Sequence, residues 1–282
     1  MQILNDPAHL LECVELAKAD GKTVALVPTM GNLHAGHMAL VTAAREKADF
    51  VITSIFVNPL QFGPNEDLEA YPRTFDDDCR LLESGGCDAV FAPSVEAIYG
   101  DDRKLQSRIH VPGVSENYCG ASRPGHFDGV ATIVCKLLNL CSPDLACFGL
   151  KDYQQFLVIE KMVKDLAINV DIIGVEIVRE ENGLAMSSRN GYLSPAQRQQ
   201  AAAIHQCLQT TASQLRSGNK AYQALEARAR ESLEAAGLQP DYYAICNACD
   251  MRAATADDQN LVILAAAFLG PSRLIDNLRL TL

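Results

Sequence analysis

The sequence predicts an α/β fold, with a parallel sheet covered by helices over residues 1–177 and a smaller α+β part over 178–282. Three observations carry this. Residues 23–57 read strand, helix, strand, the order and length of a parallel crossover. The second of those strands, Phe-Val-Ile-Thr-Ser-Ile-Phe-Val at 50–57, is nearly all apolar, as a strand covered on both faces must be. At Arg179 the alternation of strands and helices gives way to a charged turn, a long helical stretch and a run of strands.

In order, Leu10, Leu11, Val14 and Leu16 recur at helical spacing, so 7–19 is a helix capped by Asn5 or Asp6, with Pro7 just inside and Gly21 past its end. Thr23 to Val27 is the first strand, and a helix follows from Gly36 to Ala48. After the 50–57 strand, the Pro, Gly and Asn residues of 58–67 make a loop at a strand's carboxyl end, with Gln61 pointing inward. A helix over 74–84 opens with Asp76, Asp77 and Asp78, read as acids suited to a helix N-terminus rather than as metal ligands. Residues 88–92 form a short strand, and 94–124 an irregular excursion. An apolar helix over 130–140 leads to a strand at 145–148, then to a helix ending near Lys164 whose inward face carries Phe156, Ile159, Val163 and Leu166. The last strand of the sheet is Val170 to Val178, with a domain boundary near 176–180. Ser194-Pro195 opens a helix over 196–216, Gly218-Asn219 breaks it, and a second runs over 221–236. Residues 242–246, 261–266 and 277–282 read as strands.

The 282 residues carry a net charge of −11. That disfavours nucleic acid or an anionic membrane as a partner, since either needs a clustered basic face, but it leaves room for a small anion in a local positive pocket. The longest apolar run near the C-terminus, 261–269, is too short for a membrane span. The N-terminus lacks a secretory pattern, and the ten scattered cysteines read as reduced, mostly buried thiols of a cytoplasmic protein. Cys246 and Cys249 make a lone Cys-x-x-Cys with no second ligand pair, which reads as structural.

The chemistry concentrates in loops at strand carboxyl ends. Between the first strand and its helix lie Gly31, His34, Gly36 and His37. Glycines there let backbone N–H groups approach an anion, and two imidazoles about one turn apart can address one ligand and move a proton. The frame is not a Walker A loop, and no third ligand at zinc spacing accompanies the histidines. Lys151 after the 145–148 strand, and Ser187, Ser188 and Arg189 past the 170–178 strand, supply cations and hydroxyls for a polyphosphate. All three sets are expected to converge on one crevice.

His-Ala-Gly-His at 34–37 resembles the first signature of the nucleotidylyltransferase superfamily, and Met-Ser-Ser-Arg at 186–189 its second. More specifically, Val-Pro-Thr-Met-Gly-Asn-Leu-His-Ala-Gly-His, Ile-Phe-Val-Asn-Pro-Leu-Gln-Phe, Tyr-Pro-Arg-Thr, Arg-Pro-Gly-His-Phe-Asp-Gly-Val, Cys-Phe-Gly-Leu-Lys-Asp-Tyr-Gln-Gln, Met-Ser-Ser-Arg-Asn-Gly-Tyr-Leu and Leu-Ile-Asp-Asn resemble the pantoate–β-alanine ligase family. The resemblance implies a Rossmann-like sheet of nucleotidylyltransferase topology with a C-terminal lid. It implies ATP and Mg2+, with pantoate and β-alanine as the other substrates and a pantoyl-adenylate between two steps. It places ATP on Met30, Gly31, Asn32, Leu33, His34, Ala35, Gly36 and His37, on Gly149, Leu150, Lys151 and Asp152, and on Val178, Met186, Ser187, Ser188 and Arg189. His37, His34 and Lys151 would be catalytic, Gln61 would contact pantoate and β-alanine, and Gln155 pantoate. The metal ligands stay unassigned, and the family suggests a homodimer through the N-terminal domain. Leu150 stands where the family commonly has an acidic or amide residue, and Met186 where leucine is frequent. A nucleotidyl transfer onto a phosphoester, or a non-catalytic nucleotide-binding module, are the rival readings.

Overall fold

The computed structural model describes residues 1–64, 66–102 and 106–282. Asn65 of the 58–67 loop and residues 103–105 of the 94–124 excursion lie outside the described residues. The chain divides into two compact units, one of Met1–Leu150 with Val158–Glu176, the other of Lys151–Leu157 with Ile177–Leu282.

Up to Val175 the chain alternates β1 (Gln2–Leu4), α1 (Pro7–Ala19), β2 (Val24–Thr29), α2 (Ala35–Arg45), β3 (Phe50–Ile55), α3 (Phe75–Ser84), β4 (Ala89–Phe91), α4 (Val95–Tyr99), α5 (Cys119–Ser122), α6 (His126–Cys141), β5 (Leu145–Gly149), α7 (Tyr153–Asp165), whose start up to Leu157 groups with the second unit, and β6 (Asp171–Val175). The sheet runs β1-β4-β3-β2-β5-β6, and its strand pairs are parallel. The order reverses between β2 and β5, so their carboxyl ends flank the topological switch point where such sheets hold ligands. Val27, Val51, Val90 and Cys147 of the strands are buried against Leu40, Val41 and Ala44 of α2. Burial pushes the thiol of Cys147 up to about 11 and that of Cys141 up to about 12, so both stay protonated and inert.

Several boundaries differ from the sequence reading, each for a local reason. β1, a three-residue edge strand on β4, is too short to show a period. Helix α6 starts at His126 rather than Val130, because Gly125 takes a left-handed φ of 80° as its N-cap and brings His-Phe-Asp-Gly into the first turn. β6 stops at Val175 rather than Val178, where pairing with β5 ends at Gly149. On α7 the buried face is Leu157, Val158, Ile159, Met162 and Val163; Phe156 is only half-buried and Leu166, beyond the helix end, is 52% exposed. Helix α2 ends at Arg45, three residues short of Ala48. The 94–124 excursion includes the short helices α4 and α5.

The second unit packs α8 (Pro195–Ala201), α9 (Ala203–Arg216) and α10 (Tyr222–Ala235) with an antiparallel sheet in the order β7-β8-β9, from Gln239–Asn247, Asn260–Leu269 and Ser272–Thr281. The stretch read as one helix over 196–216 is two, divided at Ala202. Its start is as expected: Ser194 accepts from the N–H of Gln197, whose side chain returns a bond to the N–H of Ser194. Leu208, Leu233, Tyr243, Leu261 and Ile263 are fully or almost fully buried here. The Tyr243 hydroxyl donates to Thr211 Oγ1 at 2.7 Å, which satisfies its polar tip inside that core. Cys246 lies in β7 and Cys249 just beyond it, both as free thiols.

Candidate active site

The turn after β2 is built from the inside. Gly31 (φ 81°) and Asn32 (φ 51°) both take left-handed conformations, which reverse the chain before α2. A side chain at Gly31 would stand 3.1 Å from both Asp78 Oδ2 and Ile55 Cγ2. Asp78, buried in α3, accepts from the N–H groups of Asn32 at 2.9 Å and Leu33 at 2.8 Å, and from Thr74 Oγ1 at 3.1 Å. The Gly31 N–H donates to Thr29 Oγ1. His34 is the N-cap of α2: its Nδ1 accepts from the Gly36 N–H at 3.1 Å, while His37 Nδ1 accepts from the His34 N–H at 3.3 Å. The two rings lie with centroids 4.1 Å apart. Because each Nδ1 accepts, this hydrogen-bond pattern assigns the proton of each neutral imidazole to Nε2. The backbone donors of Gly31, Asn32, Leu33, His34 and Gly36, expected to face an anion, are therefore engaged within the protein.

Gln61 lies beside it, in a single helical turn (Pro59–Gln61) after β3. Its Oε1 accepts from Asn58 Nδ2 at 3.1 Å and its Nε2 donates to Met30 Sδ at 2.9 Å. Asn58 is itself fixed on all sides. Its Nδ2 also donates to the Gly129 carbonyl at 3.1 Å, and its Oδ1 accepts from Tyr99 Oη at 2.8 Å and from the Leu60 N–H. Gly129 is required there, since a Cβ would lie 2.2 Å from the Leu60 carbonyl oxygen. Nearby, His126 Nδ1 bonds the Gln61 carbonyl at 2.8 Å, and Arg123 forks onto both carboxylate oxygens of Glu66. Burial alone would raise the Glu66 carboxyl; the Arg123 fork, with smaller help from His126 and a Gly63 backbone bond, outweighs it and holds the group below the usual carboxylate range.

Gly149 and Leu150 belong to the first unit. The Leu150 side chain is buried and faces Gly174, where a Cβ would meet it at 2.7 Å, so position 150 offers a ligand only its backbone. Lys151, Asp152, Gln155, Val178 and 186–189 belong to the second unit. Lys151 Nζ stands 3.7 Å from Asp152 Oδ2, and its carbonyl accepts from Asn277 Nδ2 at 2.9 Å. Gln155 is half-buried on α7. The Ser187–Arg189 loop does not leave a sheet strand directly, as the sequence suggested. β6 has ended at Val175, and the chain first folds back on itself through an antiparallel bridge between Arg179 and Ala185. Val178 joins this fold by accepting from the Met186 N–H at 3.0 Å. Ser187 Oγ accepts from the Arg189 N–H, and buried Asn190 holds the Ala185 carbonyl and Glu180 Oε1.

Sequence reasoning missed Asp78 and Asn58. Asp78 left a trace, four residues before buried Leu82 on the inner face of α3. Asn58 left none, because its partners Tyr99 and Gly129 are distant in the chain. The first unit brings together two imidazoles and a fixed carboxamide, and the second, taken by itself, carries a lysine, hydroxyls and a guanidinium; each is a donor type suited to phosphate and carboxylate groups.

The family model described as pantoate-beta-alanine ligase matches residues 2–279. A pantothenate synthetase of Pseudomonas aeruginosa is 55% identical over 99% of this chain and 98% of its own length. One from Idiomarina loihiensis is 57% identical over 92% of each. Among solved structures, pantothenate synthetase from Thermus thermophilus superposes with a TM-score of 0.89 at 40% identity, covering 99% of both chains. Pantoate-beta-alanine ligase from Francisella tularensis, complexed with beta-gamma ATP and beta-alanine, gives 0.83 at 32% identity over 99% of this chain and 97% of its own. With its sheet order, its histidine turn and these likenesses over nearly its whole length, the chain belongs to the pantoate–β-alanine ligase family.

Proposed function

We propose that the chain condenses pantoate with β-alanine at the expense of ATP through a pantoyl-adenylate, as a cytoplasmic homodimer serving pantothenate and coenzyme A biosynthesis. The observation that carries this reading is the reciprocal capping of His34 and His37 beside a Gln61 carboxamide fixed by Asn58. In the first step a carboxylate oxygen of pantoate bonds to the α-phosphorus as the bond to the bridging oxygen breaks and pyrophosphate leaves. Charge builds on the non-bridging oxygens, where Nε2–H of His34 and His37 and the ammonium of Lys151 stabilise it. His37 is the donor toward the leaving oxygen. Residues 30–37, 149–152, Val178 and 186–189 form the nucleotide site, Ser187, Ser188 and Arg189 meeting its phosphates.

Gln61 orients pantoate. Its Oε1 is held by Asn58, so its NH2 turns to the substrate, exchanging the weak thioether acceptor of Met30 for an oxygen. Gln155 takes a second pantoate contact. In the second step the β-alanine amine attacks the acyl carbon, a C–N bond replaces the C–O bond, AMP leaves and the amine loses a proton. Mg2+ bound with the triphosphate would offset its charge. Among the described residues no group of three His, Cys, Asp or Glu is placed to hold a metal, which suits an ion held chiefly by phosphate and water. The 178–282 part acts as a lid that keeps water from the acyl-adenylate.

The test is isotope exchange between pyrophosphate and ATP that requires pantoate, followed by AMP release that requires β-alanine. Exchange independent of pantoate overturns the reading, as does transfer of the nucleotidyl group to a phosphoester.

A further inference from the structure

The motif Leu-Ile-Asp-Asn at 274–277 has no place in the chemistry above, yet it sits on β9 against both nucleotide-facing segments of the second unit. Asn277 is 2% exposed and donates from Nδ2 to the Lys151 carbonyl at 2.9 Å. That bond fixes the 151–152 peptide plane, and with it the direction in which the Lys151 side chain leaves the backbone. Asp276, 5% exposed, takes the Arg179 guanidinium on both oxygens, at 2.6 and 3.0 Å. The same guanidinium donates to the Gly183 carbonyl at 3.0 Å and to the Asn277 carbonyl at 3.4 Å. Arg179 is thus the rivet of the 179–185 fold that ends in Met186, Ser187, Ser188 and Arg189. Asp276 Oδ1 also accepts from the Asn277 backbone N–H at 2.8 Å, which ties the carboxylate to the strand that carries Asn277.

We propose that Asp276 and Asn277 are positioning residues that set Lys151 and the Ser187–Arg189 loop as a single piece for the nucleotide phosphates. One bears on the lysine through its backbone carbonyl, the other on the loop through Arg179. The arrangement also gives a reason for Lys151–Leu157 to group with the second unit although β5, which precedes it, belongs to the first. This inference rests on the nucleotide reading above.

The test is a pair of double-substitution cycles on the full chain, read as kcat/KM for ATP in pantoate-dependent exchange, with KM for β-alanine and the melting temperature as controls. Asn277→Ala should lower kcat/KM for ATP roughly tenfold, the scale of one buried hydrogen bond and a displaced charge, while KM for β-alanine changes less than about twofold. In a Lys151→Ala background the same change should cost little more, because the group it positions is gone. Asp276→Asn should likewise lose most of its effect in an Arg189→Ala background. Asn277→Ser, which keeps a shorter donor, should recover part of the loss, and it carries the test if the alanine variant does not fold. Losses that multiply independently of Lys151 and Arg189, or KM values for both substrates rising together, overturn the positioning role. A Lys151→Ala enzyme with undiminished exchange would instead bring down the nucleotide reading itself, so the two failures are distinguishable.

Discussion

Asp78→Asn is the sharpest test of how the histidine turn is held. The carboxylate receives three donors: the Asn32 N–H on Oδ2, and the Leu33 N–H and Thr74 hydroxyl on Oδ1. An isosteric asparagine has one acceptor oxygen. If that oxygen keeps the pair at Oδ1, the amide nitrogen meets the Asn32 N–H as donor against donor. A bond to a charged acceptor, worth about 1.5–3 kcal/mol, is then lost, and the N–H left unpaired costs about 1–3 kcal/mol more. Relaxation of the turn relieves part of this, which leaves a net destabilisation of roughly 2–4 kcal/mol and a melting temperature lower by about 5–15 °C. That relaxation moves Gly31–Leu33, and His34 with it. A misplacement on the order of 1 Å in a reacting group costs about a hundredfold in rate. The expectation is therefore a kcat for pantoate-dependent exchange about two orders of magnitude lower, measured well below the variant's melting transition. A folded D78N enzyme with kcat within about threefold of the parent would refute the claim that this carboxylate shapes the catalytic turn.

Gly129→Ala pushes a methyl group into the Leu60 carbonyl, which an added Cβ would meet at 2.2 Å; kcat/KM for pantoate should fall more than tenfold while KM for ATP is nearly unchanged, and steady-state kinetics with each substrate varied will read this. His37→Ala should preserve the melting temperature within a few degrees and lose most of the exchange rate, roughly a hundredfold or more; survival of activity would remove the imidazole from the proposed step. His205 has its pKa lowered, by burial first and by Arg179 next, against a smaller opposing pull from Asp276. The unfolded chain then binds the proton more readily, so stability is complete above the ordinary histidine range near pH 6.5 and falls as pH drops toward the depressed folded value. Melting curves from pH 7.5 to 5 should show a decline that His205→Gln reduces; an unchanged slope in that variant would assign the decline elsewhere.

What the sequence could show follows from the range of the interactions. The cap of α1 was legible because Asp6, Pro7 and the helical spacing are neighbours, and Asp6 Oδ1 does take the Ala8 N–H at 2.7 Å. The apolar run of β3 announced a central strand because burial on both faces leaves its mark on every residue. The histidine spacing, likewise, pointed to one site, and the rings do lie together. Partnerships across the fold leave no such mark. Arg123 meets Glu66 57 residues away, and Asn277 meets Lys151 126 residues away. The strand read through to Val178 failed for a related reason: Val175 to Val178 is apolar enough to extend, but β5 offers no partner beyond Gly149. In the C-terminal helices a continuous helical period hid the break at Ala202, since alanine disguises a boundary that glycine or proline would have announced.

The same distinction changes the meaning of the turn itself. Two left-handed residues before a helix form a concavity of backbone N–H groups, and read locally that concavity asks for an anion. The protein supplies one. Asp78 fills it from α3, so the amides of Asn32 and Leu33 are engaged before any nucleotide arrives. A phosphate-binding loop of the glycine-rich kind meets its ligand with amides, and substitution of its side chains leaves much of that contact intact. Here the amides hold a carboxylate, and the cap bonds of His34 and His37 consume two more. On the function proposed above, stabilisation of a phosphoryl group at this turn falls to imidazole Nε2–H groups, which can also surrender a proton, as an amide cannot. On that proposal, the buried acid turns a motif suited to holding phosphate into one suited to acting on it.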